Sequence, residues 1–149
     1  MNQIIKTTPF VNIVADPDSI ALYGGGASLD FSLFTDPSYG HASYGDSTYK
    51  LIPAGTVVTI DEATRTVAPF VHADADPLPA AGTLLVLAQS VSDNPYTAIG
   101  STGKVGLITG GNLYEDQMPQ ADGSGNLSAA IKAGLGQRFH FQKRFATPA

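Results

Sequence analysis

Apolar positions in this chain fall into short runs cut by glycine, proline and small polar residues, and several runs repeat with a period of two. Phe10 to Val14 has the β-branched and aromatic bias of a strand. Pro17 and the glycines at 24–26 argue against regular structure until residue 28. From Ser28 to Phe34, Leu29, Phe31 and Leu33 alternate with Asp30 and Ser32, the pattern of a half-buried strand. Residues 36–46 read as a turn-rich loop. A turn at Pro53 to Gly55 separates Leu51 and Ile52 from a strand over 56–60, and 61–65 connects it to a returning strand over 66–71. Thr83 to Gln89 is a continuous apolar run, as in a strand covered on both faces. Strand-like stretches follow at 104–109 and 112–115.

One helix is predicted. Asn126 or Ser128 can cap it, and Leu127, Ala130, Ile131 and Leu135 share one face at spacings of three and four. Glycines at 134 and 136 end it. Arg138 to Gln142 then alternates, with Phe139 and Phe141 on one side and Arg138, His140 and Gln142 on the other. The fold class expected is mainly β: six to eight strands, one short C-terminal helix and an extended N-terminal arm. A change of composition near residue 48 divides the chain into an arm and irregular extension (1–48) and a single compact β domain (49–149).

Composition sharpens this. In 149 residues there are 16 Gly, 10 Pro and no Cys, and only 14% are charged against 43% hydrophobic. That excludes a coiled coil, an acidic tail, disulfides and zinc sites built on sulfur. The formal net charge of −5 argues against phosphate-driven nucleic-acid binding. No run is long and apolar enough to predict a membrane span. Charge is uneven: residues 1–100 carry ten acids against three bases, a net of −7, whereas 101–149 carry three acids against five bases, a net of +2.

Candidate chemistry mostly fails on spacing. Gly45, Asp46 and Ser47 resemble the first block of serine hydrolases of the Gly-Asp-Ser type, and Gly110 to Asn112 mimics their oxyanion block. That mechanism needs a histidine oriented by an aspartate three residues earlier, yet Ser38, Pro69 and Gln137 precede His41, His72 and His140. His72, Asp74 and Asp76 alternate and would share one side of an extended segment, a weak cation candidate. The stretch from Asp122 starts like a calcium loop but has Leu127 where glycine is needed and Ala133 where glutamate is needed. Glu115 and Asp116, being adjacent, cannot serve as a carboxylate pair on one strand. The expectation is a chain with no catalytic residue, metal or cofactor.

From Tyr49 onward the chain resembles the head decoration, or capsid cement, proteins of tailed bacteriophages, the lambda-like family. Leu51 to Val58 (LIPAGTVV) is similar to the family's Pro-x-Gly-Thr-Val opening of its first core strand. Thr83 to Val91 is similar to its apolar strand with a polar turn. Leu107 to Pro119 (LITGGNLYEDQMP) resembles its strand, glycine and Tyr-Glu-Asp-x-x-Pro stretch, and Leu127 to Phe141 its closing helix and strand. The resemblance implies a β-tulip or β-clip-like domain that forms homotrimers on the outer surface of an expanded head, binding the major capsid protein and resisting internal DNA pressure. Neither a membrane nor direct contact with nucleic acid is implied. The expected capsid contacts are Ile4, Ile5, Phe10, Val11 and Ile13, on an arm that adds as a strand to a partner's sheet edge. An edge strand of the chain's own domain is the alternative for those five residues. Tyr114, Glu115 and Asp116 are placed near a trimer axis by the resemblance alone. The rival functions are another virion surface module, such as a fibre base or host-adhesion domain, and the hydrolase with its incomplete triad.

Overall fold

The computed structural model describes residues 13–35, 42–44, 47–70, 79–93, 104–119 and 127–144. Its strands are β1 (Val14–Leu22), β2 (Ala27–Leu29), β3 (Ala42–Tyr44), β4 (Ser47–Tyr49), β5 (Leu51–Ile52), β6 (Val57–Asp61), β7 (Thr66–Pro69), β8 (Leu84–Leu87), β9 (Val91–Ser92), β10 (Lys104–Val105), β11 (Leu107–Tyr114) and β12 (Phe139–Gln142). One helix, α1 (Ala129–Leu135), and two 3-10 turns, Phe31–Leu33 and Glu115–Gln117, complete the described elements. The architecture is mainly β.

Eight strands form one sheet in the order β1-β11-β8-β6-β7-β2-β10, with β12 also paired to β11. Gly106 alone separates β10 from β11, so the sheet curls until its last strand runs into its second. The Ala88 amide donates to the Gly106 carbonyl at 3.0 Å, and the Tyr23 amide to that of Leu107 at 2.8 Å, at this junction. Two small antiparallel pairs, β3 with β4 and β5 with β9, lie off the main sheet.

The curl explains why the central strands are apolar at successive positions. Along β8 and the residue after it, Leu84, Val86 and Ala88 enter one core cluster while Leu85 and Leu87 enter the other. Val57 and Val58 divide the same way, as do Ile108 and Leu107. Period-two geometry sends neighbours to opposite faces, and here both faces are covered. Helix α1 closes one face with Ile131 and Leu135, and Gly134 lets it approach so near to Leu84 that an added Cβ would strike that side chain. Ser128 caps the helix by accepting from the Ile131 amide at 3.2 Å, and Gly136, at φ 82°, ends it.

The division at residue 48 does not describe this molecule. Residues 13–34 are part of the same sheet and core: β1 pairs antiparallel with β11, and β2 lies between β7 and β10. Phe34, with 0% exposure, sits in the inner cluster beside Ile52 and Leu87. Strand β1 also runs through Pro17, where regular structure was not expected. It tolerates proline because it is an edge strand whose register slips between Asp16 and Ala21, so no ladder amide is missed there. The alternating run at 28–34 is strand only to Leu29. Asp30 then accepts from the Ser32 amide at 3.0 Å and diverts the chain into a 3-10 turn.

Candidate functional site

Of the five expected contact residues, Ile4, Ile5, Phe10 and Val11 lie outside the described residues. Ile13 is only 1% exposed and packs in its own core, its methyls against Gly55. Its side chain is therefore spent in the chain's own core, one residue ahead of β1. The His72, Asp74 and Asp76 cluster, Asp122, His41 and the Gly45–Asp46 turn also lie outside the described residues. Among the described residues no group of three or more His, Asp or Glu side chains could hold a metal, and no helix is long and apolar enough to cross a membrane.

Gly110 and Gly111, read as mimics of an oxyanion block, sit inside β11 and have a packing role. Strand β12 runs parallel along one side of this segment and β1 antiparallel along the other. A Cβ on Gly110 would lie 2.9 Å from the Arg138 carbonyl oxygen, and one on Gly111 would meet Ile20. Gly111 has φ +145°, a region that favours glycine. Both side chains are missing because two strands press on β11 here.

The turn after β11 gathers the next cluster. Glu115 is 7% exposed and its Oε2 meets the Lys132 ammonium of α1 at 3.0 Å. The same oxygen accepts from the Leu127 amide just ahead of the helix at 3.2 Å. Lys132 lies 5.6 Å from the Phe141 ring centroid, and Phe141 stacks on Phe139 with centroids 6.3 Å apart. Asp116 accepts from the Arg144 amide at 3.0 Å. The turn thus ties α1 and the end of β12 to β11. Tyr114, Glu115 and Asp116 are contiguous, but the Glu115 carboxylate is spent inside its own chain and offers a neighbouring subunit almost no surface. Lys132 is the partner that sequence reasoning missed, since sixteen intervening residues leave no local signal.

Substitutions rank the two Glu115 contacts. Glu115→Leu leaves the buried Leu127 amide without its acceptor and should cost about 1–3 kcal/mol. Lys132→Ala should cost under about 1 kcal/mol, because its side chain is 42% exposed and water replaces it. Urea unfolding of both variants measures the difference.

A third cluster clasps the glycine loop between β1 and β2. The Arg65 guanidinium donates to the carbonyls of Gly24 and Gly26, and its Cζ lies 4.7 Å from the Tyr23 ring centroid. Tyr23 donates to Glu62 at 2.9 Å, and chiefly this hydrogen bond raises its hydroxyl above the ordinary value. Arg65 adopts φ 56°, an uncommon backbone conformation for a residue other than glycine. These contacts hold a loop; they do not assemble an acid and a base on a shared cavity.

Asp30 gives a pH-dependent handle. Its carboxylate accepts from the Ser32 hydroxyl at 2.6 Å and the Ser32 amide at 3.0 Å, in that order of effect, and is held below its ordinary value. The ionised form is favoured by folding, so its stabilising contribution is complete above the ordinary carboxylate range and is lost as pH falls through the depressed value. Asp30→Asn should remove that part of the acid-side slope, as read from unfolding midpoints between neutral and strongly acidic pH.

Two hollows flank β12. A groove of about 610 Å³ runs between the end of α1 and β12, over Lys132, Gly136, Phe139 and Phe141. A smaller one of about 160 Å³ adjoins Asn112, His140 and Gln142. No protein-family model matches the chain, and no curated protein matches it.

Proposed function

We propose that this chain is a structural capsid decoration protein, which binds the major capsid protein on the outer surface of an expanded phage head as a homotrimer and stiffens it against internal pressure. One observation carries the reading: the four separated stretches that resemble the decoration family pack together into one unit. Leu51 to Val58 supplies β5 and the start of β6, the apolar run supplies β8, Leu107 to Pro119 supplies β11 and its turn, and Leu127 to Phe141 supplies α1 and most of β12. β6, β8 and β11 are consecutive neighbours in the sheet, and Glu115 binds Lys132 and the amide before the helix. The clusters described serve cohesion, which suits a molecule whose work is to hold and be held.

In this reading Ile13 fixes the chain in the core, and residues 1–12, with Ile4, Ile5, Phe10 and Val11, form the capsid-binding segment. An added strand supplies main-chain hydrogen bonds, and three segments per trimer raise the effective concentration of the second and third contacts. Tyr114 and Asp116 remain candidates for the trimer contact. Removing residues 1–12, but not Ile13, should leave the melting temperature and the trimeric state unchanged and abolish retention on expanded, undecorated heads in sedimentation. Full retention of the truncated protein would remove the segment from the mechanism.

A further inference from the structure

Strand β1 is held to the sheet from one side. Among the described residues it pairs with β11 and with no other strand. The next strand, β2, lies near the other end of the sheet order, between β7 and β10. The β1 ladder is weak. Its register shifts between every recorded pair, Pro17 brings no amide, and Asp16 and Asp18 are exposed like charges two residues apart. Such an edge opens more readily than the buried central strands.

The surface under this stretch is shaped for its own side chains. A Cβ on Gly111 would lie 2.5 Å from Ile20 Cδ1, and one on Gly55 would lie 2.8 Å from Ile13 Cγ2. Each glycine thus leaves room for one isoleucine. The Ile13 carbonyl accepts from the Tyr114 amide at 2.7 Å, and Ile13 and Val14 belong to the buried cluster that includes Ile108 and Leu113. Were β1 to leave, the slot would need the same isoleucines at the same spacing. A second copy of the chain supplies them.

The turn at residues 23–26 joins β1 to β2, and one side chain from the β6–β7 connection grips it. Arg65 Nε and Nη2 donate to the Gly26 carbonyl at 3.2 and 2.7 Å, and Nη2 also donates to that of Gly24. The Arg65 carbonyl accepts from the Ser28 amide at 2.9 Å, so this residue binds both the turn and the strand after it. Arg65 does so at φ 56°, a conformation that persists only where its surroundings over-determine it. Gly25 and Gly26 sit at φ +81° and +66°, but glycine reaches extended conformations as readily, so an ungripped turn can straighten. We infer that Arg65 locks this hinge, keeping β1 on its own β11 and preventing exchange of β1 between two copies of the chain. With the lock gone, a straightened turn lets each copy lend β1 to the next through the contacts it makes at home. This inference stands apart from the decoration reading, because neither capsid binding nor the number of subunits enters it.

The test uses the full chain, which has no cysteine of its own, carrying Asp16→Cys and Asn112→Cys at facing positions of β1 and β11. The protein is unfolded in urea with reductant, refolded at high concentration, oxidised, and run on denaturing gels without reductant. In this parent the disulfide should form within one chain, at the mobility of 15.4 kDa. Adding Arg65→Ala should move most of the bonded material to bands of two or more chains, the more so as the refolding concentration rises. Arg65→Gly, which accepts φ 56° without strain, should do the same and serves if the alanine variant fails to fold. Val67→Ala removes buried methyls from β7 without touching the hinge, and should leave the bond within one chain. Bonds within one chain in a folded Arg65 variant, bonds between chains already in the parent, or as much exchange in Val67→Ala as in Arg65→Ala would each overturn the inference.

Discussion

Replacing Phe34 by alanine should lower the unfolding free energy of the whole domain by about 3–5 kcal/mol, the cost of removing a fully buried aromatic ring. Phe34 has 0% exposure and packs in the inner cluster with Ile52, Val58, Val67 and Leu87, residues of β5 to β8. The loss should therefore appear as one shifted cooperative transition, followed by far-ultraviolet circular dichroism in urea. Leu33 is the internal control: it is 44% exposed, and Leu33→Ala should change stability by no more than about 0.5 kcal/mol. A Phe34→Ala protein as stable as its parent would mean that residues 13–34 do not share the core of the sheet.

Gly111→Ala is expected to be nearly as damaging. The backbone there has φ +145°, which costs a residue with a Cβ on the order of 1–3 kcal/mol. The new methyl would also lie 2.5 Å from Ile20 Cδ1 and 3.3 Å from the Ser19 carbonyl oxygen, adding an overpacking penalty of about 1–3 kcal/mol. Relief has an identifiable direction: β1 must move away from β11. Amides bonded across that pair, such as Asn112, which donates to Ser19 Oγ at 2.9 Å, should exchange faster in the variant. Gly111→Ala with unchanged stability and exchange would remove the close β1–β11 contact.

The central strands were legible in the sequence because burial on both faces writes itself as an uninterrupted apolar run, as in Leu84 to Ala88. Helix α1 was legible for a different reason: Ser128 and Gly136 are capping residues at a helix's ends. What misled was local chemistry overruled by distant contacts. Pro17 and the Gly24–Gly26 run suggested a break, yet long-range pairing with β11 and the Arg65 clasp hold that stretch on the sheet. The alternation at 28–34 suggested a strand, but the Asp30 side chain captured the Ser32 amide. The glycine pair in β11 was visible as residues but not as a packing device, since its cause is the approach of two strands more than twenty residues away. The Glu115–Lys132 contact was hidden for the same reason.

The decoration reading meets its most direct test in a mixing experiment between purified protein and expanded heads that lack decoration, imaged by cryo-electron microscopy alongside light scattering of the free protein. The prediction is a free mass at three times 15.4 kDa and saturable density on the outer face at threefold positions. A monomeric protein that leaves such heads bare, or density on their inner face, would contradict it.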